Sequence, residues 1–155
     1  MAEAMGRKDG ACRSGDLAAG RLVMGDQETH DTLIRLAEIV KARRPDRVAE
    51  VYAEDAVREW PQSGERLRGP ANIAAADMHH PEPPKITPTG IHFSGDIAVI
   101  EQVREYGGKR VYAVSILEIK DGKIVRQTDY FADPFEPPEW RSQWVERMEP
   151  APAGR

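Results

Sequence analysis

The sequence predicts an α+β fold, with about three helices in its N-terminal half and a mainly antiparallel sheet in its C-terminal half. Two observations carry this. Between Thr29 and Lys41 the apolar residues Leu33, Ile34, Leu36, Ala37, Ile39 and Val40 recur at three- and four-residue spacing, with Asp31, Arg35, Glu38 and Lys41 on the other face. That is the pattern of an amphipathic helix. Further on, the β-rich runs Ile97 to Tyr106, Arg110 to Lys120 and Lys123 to Ala132 are separated only by Gly107-Gly108 and Asp121-Gly122. Such pairs are short hairpin signals, so the runs read as an antiparallel meander.

Taken in order, residues 1–27 carry many glycines and charges without sustained periodicity and read as a flexible leader outside the core, with Met24 an alternative start. Thr29 or Asp31 is the expected cap of the first helix. Pro45 suits a first helical position and opens a second helix to about Tyr52, with Val48, Val51 and Tyr52 inward. Asp55 to Trp60 and Glu65 to Arg68 read as two short strands joined through Pro61, Gln62, Ser63 and Gly64. A third helix runs from Pro70 to about Met78 and stops before His79, His80 and the Pro81 to Pro84 cluster, which cannot continue it. A fourth long strand, from about Lys85 to Phe93, precedes the meander across Ser94-Gly95-Asp96. Val111 to Ile119 is apolar on both parities, as a central strand covered on both faces would be. Trp140, Trp144, Val145 and Met148 recur at helical spacing and suggest a closing helix that packs. The expected organisation is a leader (1–27), one domain (28–135) and a C-terminal segment with a short helix and tail (136–155).

Composition narrows the function classes. The chain has 155 residues, 40% hydrophobic and 31% charged, ordinary values for a folded globule. A chain of that size buries roughly two thirds of its unfolded surface, enough for one core. The formal charge of -4, from 22 basic and 26 acidic residues interspersed, offers no basic face for nucleic acid. No apolar run approaches the ~20 residues that span a bilayer. Charges interrupt the first residues where a secretory signal would be apolar, so the expected compartment is the cytoplasm. Cys12 is the only cysteine, which excludes intrachain disulfides and thiolate metal sites. No His-x-x-x-His or His/carboxylate spacing occurs, and no metal or cofactor is expected.

Particular stretches resemble a known group. They are Tyr52-Ala53-Glu54-Asp55-Ala56-Val57, then Glu59 to Gly69 running into the third helix, and Asp121-Gly122-Lys123-Ile124-Val125 followed by Thr128 to Asp133. The chain is similar over about residues 29–135 to the SnoaL-like polyketide cyclases of the nuclear transport factor 2-like superfamily. The resemblance implies a cone, in which helices pack on a strongly curved, mixed but mainly antiparallel sheet that encloses one pocket. It also implies homodimerisation through the outer sheet face, where Tyr106 and Tyr130 are placed. Function is not fixed by it, because that fold hosts cyclases, isomerases, epoxide hydrolases, dehydratases and binding proteins.

Alternation on the last strand sets Val125, Gln127, Asp129, Phe131 and Asp133 on one face and Ile124, Arg126, Thr128, Tyr130 and Ala132 on the other. The resemblance places an active-site Asp at Asp129, where a carboxylate among apolar neighbours serves as general base or acid; a solvated or ion-paired strand residue is the alternative. Gln102 and Arg104 share a face one strand pair away. In limonene epoxide hydrolase the resemblance gives that pair as Arg and Asp around a water, so Gln102 and Arg104 depart from it. Arg104 can instead bind an enolate or carboxylate of a ligand, or pair on the surface with Glu118 or Glu101. His80, ahead of Pro81 at the mouth, is a candidate acid or base, whereas His30 is expected to cap or face solvent. Tyr52, Trp60, Tyr112 and Phe131 are candidate pocket lining, core packing being the alternative. The leading expectation is a cofactor-independent cyclase, isomerase or lyase in which Asp129 removes a proton next to a carbonyl. Against it stand a non-catalytic binder of a hydrophobic metabolite and a dimerising scaffold. A closed cavity facing Asp129, with a second titratable or donor group in reach, would favour the enzyme; a cavity lined only by apolar atoms would favour the binder, and a filled one the scaffold.

Overall fold

The computed structural model describes residues 24–149. Helix α1 (Met24–Lys41) and a 3-10 turn (Pro45–Glu50) lead into strands β1 (Tyr52–Trp60) and β2 (Glu65–Arg68) and helix α2 (Gly69–Met78). Strands β3 (Lys85–Ser94), β4 (Ile97–Tyr106), β5 (Lys109–Lys120) and β6 (Lys123–Ala132) follow, then a second 3-10 turn (Glu139–Trp144). The strands form one six-stranded sheet in the order β2-β1-β6-β5-β4-β3. Only β1 and β6 run parallel; the other neighbours are antiparallel. The fold is the expected α+β cone, although the sheet is open, since β2 and β3 are its two edges.

The turns follow from local chemistry. Asp121 and Gly122 both take positive φ (50° and 70°), as the favoured two-residue hairpin turn requires. On β5 the side chains alternate cleanly: Val111, Ala113, Ser115, Leu117 and Ile119 are buried, while Tyr112 and Glu118 are exposed and Val114 and Ile116 half-buried. The helices lie on the buried side, where Ile39 of α1 and Ile73 of α2 meet Leu117 and Ile124 in the core. All four are buried almost completely, each contributing roughly 1.5–3 kcal/mol relative to an exposed side chain.

Several boundaries differ from the sequence reading. Helix α1 starts at Met24, not at a cap on Thr29 or Asp31. Thr29 instead donates to the Gly95 carbonyl at 2.7 Å and Thr32 to the Gly122 carbonyl at 2.9 Å, tying the helix to two hairpin turns. The helix thereby takes in the last residues of the expected leader; the remainder of it, Cys12 included, lies outside the described residues. The second helix is a short 3-10 turn ending at Glu50, because β1 claims Tyr52 by pairing it with Ile124. An irregularity between Glu118 and Ile119 pairs Ile119 with Ile124 but Glu118 with Arg126. The extra residue moves Ile124 onto the buried side, overturning its assignment to the opposite face. The expected closing helix does not pack: Trp140 and Trp144 are each 72% exposed, and Phe135 and Met148 are exposed as well.

Candidate functional site

Cross-strand register brings three rows of inward side chains together. Ser115 of β5 stands opposite Asp129 of β6 on one side and Ile100 of β4 on the other. One step along, Ala113 stands between Phe131 and Gln102, and a further step sets Val111 beside Arg104. Directly opposite residues share a face. The register therefore places Gln102 and Arg104, which alternation put together, on the face of Asp129.

Asp129 is 2% exposed and is surrounded by donors, not by apolar neighbours alone. The Ser115 hydroxyl donates to Oδ1 at 2.5 Å. Gln127 Nε2 reaches Oδ1 at 2.8 Å and Oδ2 at 3.0 Å, and Trp60 Nε1 donates to Oδ2 at 3.2 Å. Gln102 Nε2 in turn donates to Ser115 Oγ at 2.8 Å. An ionised carboxylate offers about four lone-pair positions. The four bonds, two on each oxygen, occupy all of them.

A second chain of bonds supports Gln127 from behind. The Tyr52 hydroxyl donates to Gln127 Oε1 and accepts from Arg58 Nη2 at 3.0 Å, while Arg58 Nη1 meets Asp77 Oδ1 of α2 at 2.8 Å. Burial raises the Tyr52 hydroxyl above the ordinary phenol value, so it stays protonated and keeps donating. Burial alone would lower Arg58, but Tyr52, Asp77 and Asp129 outweigh it and hold the guanidinium above its ordinary value.

Arg104 forms no hydrogen bond or ion pair among the described residues. Its guanidinium carbon sits 4.9 Å from the centre of the Phe131 ring, and its Nε is buried without a partner. The surface pairing with Glu118 or Glu101 does not occur, because those residues point outward and meet Arg126 and His92. Arg104 makes no ion pair with Asp129 either.

The other expected residues divide. Tyr52 is buried and Trp60 half-buried, and both touch the cluster. Trp60 also lines a groove of about 750 Å³ with Pro61, Leu67 and Asn72. Phe131 lies on the inner face, as expected. Tyr112 does not line the pocket: it pairs with outward Val103 and Ala132 and is 42% exposed. Tyr130 faces outward as expected, but Tyr106 shares the parity of Arg104, and the exposed His80 stacks on it with ring centres 5.5 Å apart. The structure gives His80 a bond from the Glu82 amide, at 3.1 Å, and no contact with Asp129. His30 is half-buried, its ring tilted 6.0 Å from that of Phe93.

Four members of the cluster were missed as site residues: Ser115, Gln127, Arg58 and Asp77. Ser115 carried a signal, being a polar residue at the centre of the apolar run Val111 to Ile119. Arg58 carried none, since its role depends on the fold bringing Tyr52 and Asp77 to it.

Comparison with known proteins agrees with this architecture. The family model described as a SnoaL-like domain matches residues 33–127, more than half of the chain. An NTF2-like protein of unknown function from Burkholderia xenovorans LB400 is 37% identical with a TM-score of 0.74, over 82% of this chain and 100% of that one. A proposed ketosteroid isomerase from Kribbella flavida DSM 17836 is 28% identical with a TM-score of 0.73, over 79% and 91%. An LEH-like epoxide hydrolase of M. tuberculosis, 21% identical with a TM-score of 0.56 over 68% and 84%, shares the fold. A search of curated proteins found no match. No helix among the described residues is long and apolar enough to cross a membrane.

Proposed function

This chain belongs to the SnoaL-like domain family, and from that premise we propose that its inner sheet face binds a small organic molecule and that Asp129 is the acid/base of a cofactor-independent reaction next to a carbonyl. The observation that carries this reading is the buried Asp129 carboxylate, whose two oxygens are held in place by Ser115, Gln127 and Trp60. Donors from three elements fix its orientation before any ligand arrives, and fixed geometry is what a proton transfer needs. The Trp60 N–H and the Ser115 hydroxyl donate to the carboxylate and hold it in position for the transfer. The reaction class is cyclisation, isomerisation or elimination. The similarity to a proposed ketosteroid isomerase supports it.

Epoxide hydrolysis fits less well. The acid-base set that the resemblance implies has a carboxylate where this chain has Arg104, and Gln102 donates to Ser115 instead of holding a water. The second reading is a non-catalytic binder, favoured by one observation: Asp129 also knits β1, β5 and β6 together, a structural role that needs no turnover. We further propose a homodimer through the outer sheet face, where Tyr112 and Tyr130 are exposed next to half-buried Val114 and Ile116.

Native mass spectrometry of protein from its own cells identifies the molecule carried. Turnover of that molecule, lost in Asp129→Asn with binding kept, supports the enzyme. Binding without turnover in wild type supports the binder.

A further inference from the structure

The reading above leaves one inward group without an assigned role: the guanidinium of Arg104. It lies on the face that carries Asp129, over the ring of Phe131, with a buried Nε that no protein atom satisfies. A buried N–H left unpaired is costly in a finished core. Neither directly opposite residue provides a counter-charge. Val111 stands directly beside Arg104 on β5 and Ile86 directly beside it on β3, both apolar.

The side chains between Arg104 and Asp129 are apolar. Ala113, between Gln102 and Phe131, contributes only a methyl group to the inner face. Larger side chains would be expected there if the face were merely filled. Phe131 is two residues along β6 from Asp129, a separation of about 7 Å in a strand. An apolar shelf therefore connects a fixed positive charge to a fixed carboxylate.

On this geometry, and resting on the reading of this face as a small-molecule site, we propose that the ligand is a carboxylate-bearing molecule. Its carboxylate pairs with Arg104, its apolar portion lies on Phe131 and Ala113, and its reacting end reaches Asp129. A guanidinium suits this because its planar fork meets a carboxylate through two parallel N–H bonds and remains charged at all relevant pH. The cation held over the Phe131 ring is already oriented, so little freedom is lost on binding.

The test uses calorimetry with defined probes: benzoate, 3-phenylpropionate and hexanoate, each against its neutral amide, with inorganic phosphate as an anion lacking hydrocarbon. Wild type should bind the carboxylates at least tenfold more tightly than the amides, and phosphate not measurably. Added salt should weaken the carboxylates and leave the amides unchanged. Arg104→Gln should abolish the preference, Arg104→Lys should keep part of it, and Asp129→Asn should retain it. Circular dichroism checks that each variant is folded; should Arg104→Gln unfold, the salt dependence and Arg104→Lys decide. Amides bound as tightly as acids, or a preference that survives Arg104→Gln, would overturn the anion assignment while leaving a small-molecule site. Probes of neither class binding would overturn both.

Discussion

Replacing Tyr52 by Phe removes one oxygen from the centre of the buried network and nothing else. The ring remains, so no cavity forms. Two buried groups lose their partner: Arg58 Nη2, which donates to that hydroxyl at 3.0 Å, and Gln127 Oε1, which accepts from it. An unsatisfied buried group costs about 1–3 kcal/mol. Arg58 keeps its bond to the partly exposed Asp77, which lets water relieve part of the loss. The expected destabilisation is therefore about 2–4 kcal/mol. Urea unfolding followed by tryptophan fluorescence measures it. With a slope of about 2 kcal/mol/M, the midpoint should fall by about 1–2 M. Gln143→Ala is the control, because an exposed side chain outside the network should matter by no more than about 0.5 kcal/mol. A Tyr52→Phe midpoint within about 0.3 M of wild type would show that the Tyr52 hydroxyl does not bridge Arg58 and Gln127, and the support for Asp129 would have to be redrawn.

Other outcomes follow from the same geometry. Burial raises the Tyr52 hydroxyl above its ordinary 10.0, so the folded protein holds that proton longer than the unfolded chain. The resulting stability is complete below about pH 10 and is lost as pH rises toward the folded value. Thermal melts of wild type should thus fall more steeply above pH 10 than those of Tyr52→Phe, and parallel curves would count against it. Ile73→Ala should cost about 2–5 kcal/mol in urea unfolding, because Ile73 is completely buried beneath α2; a cost under 1 kcal/mol would mean that α2 is loosely docked. Sedimentation should find a dimer at micromolar concentration that Tyr112→Lys with Tyr130→Lys converts to monomer, and a wild-type monomer would remove the proposed interface.

The fold was legible because its signals are local. Periodicity marked α1, and the Gly107-Gly108 and Asp121-Gly122 turns fixed the ends of β4, β5 and β6 to within a residue or two. Where boundaries moved, a tertiary contact decided: Thr29 looks like a capping residue, yet its hydroxyl reaches a hairpin carbonyl far along the chain. The site was legible only by parity. Alternation set Asp129 with Phe131 and Gln102 with Arg104, and the cross-strand register joined the two pairs; alternation broke at Ile124, where an added residue reverses it. Tyr112 was misplaced for another reason: the apolar run Val111 to Ile119 hides which parity is inward, and only the neighbouring strands settle that. The network from Asp77 through Arg58 and Tyr52 to Gln127 joins residues far apart in sequence, so no motif announced it. Trp140 and Trp144 have helical spacing, but among the described residues they remain exposed.

The central claim is that Asp129 moves a proton on carbon, and solvent exchange tests it without knowledge of the product. The small molecule retained in native mass spectrometry, or any carbonyl compound that stabilises the protein, would be incubated with enzyme in deuterium oxide and followed by NMR at the carbon next to its carbonyl. Wild type should exchange that position for deuterium, and Asp129→Asn, binding the same molecule with similar affinity, should exchange it about 10² to 10⁴ times more slowly. Equal exchange by the variant, or none by wild type on a molecule it binds, would contradict the assignment.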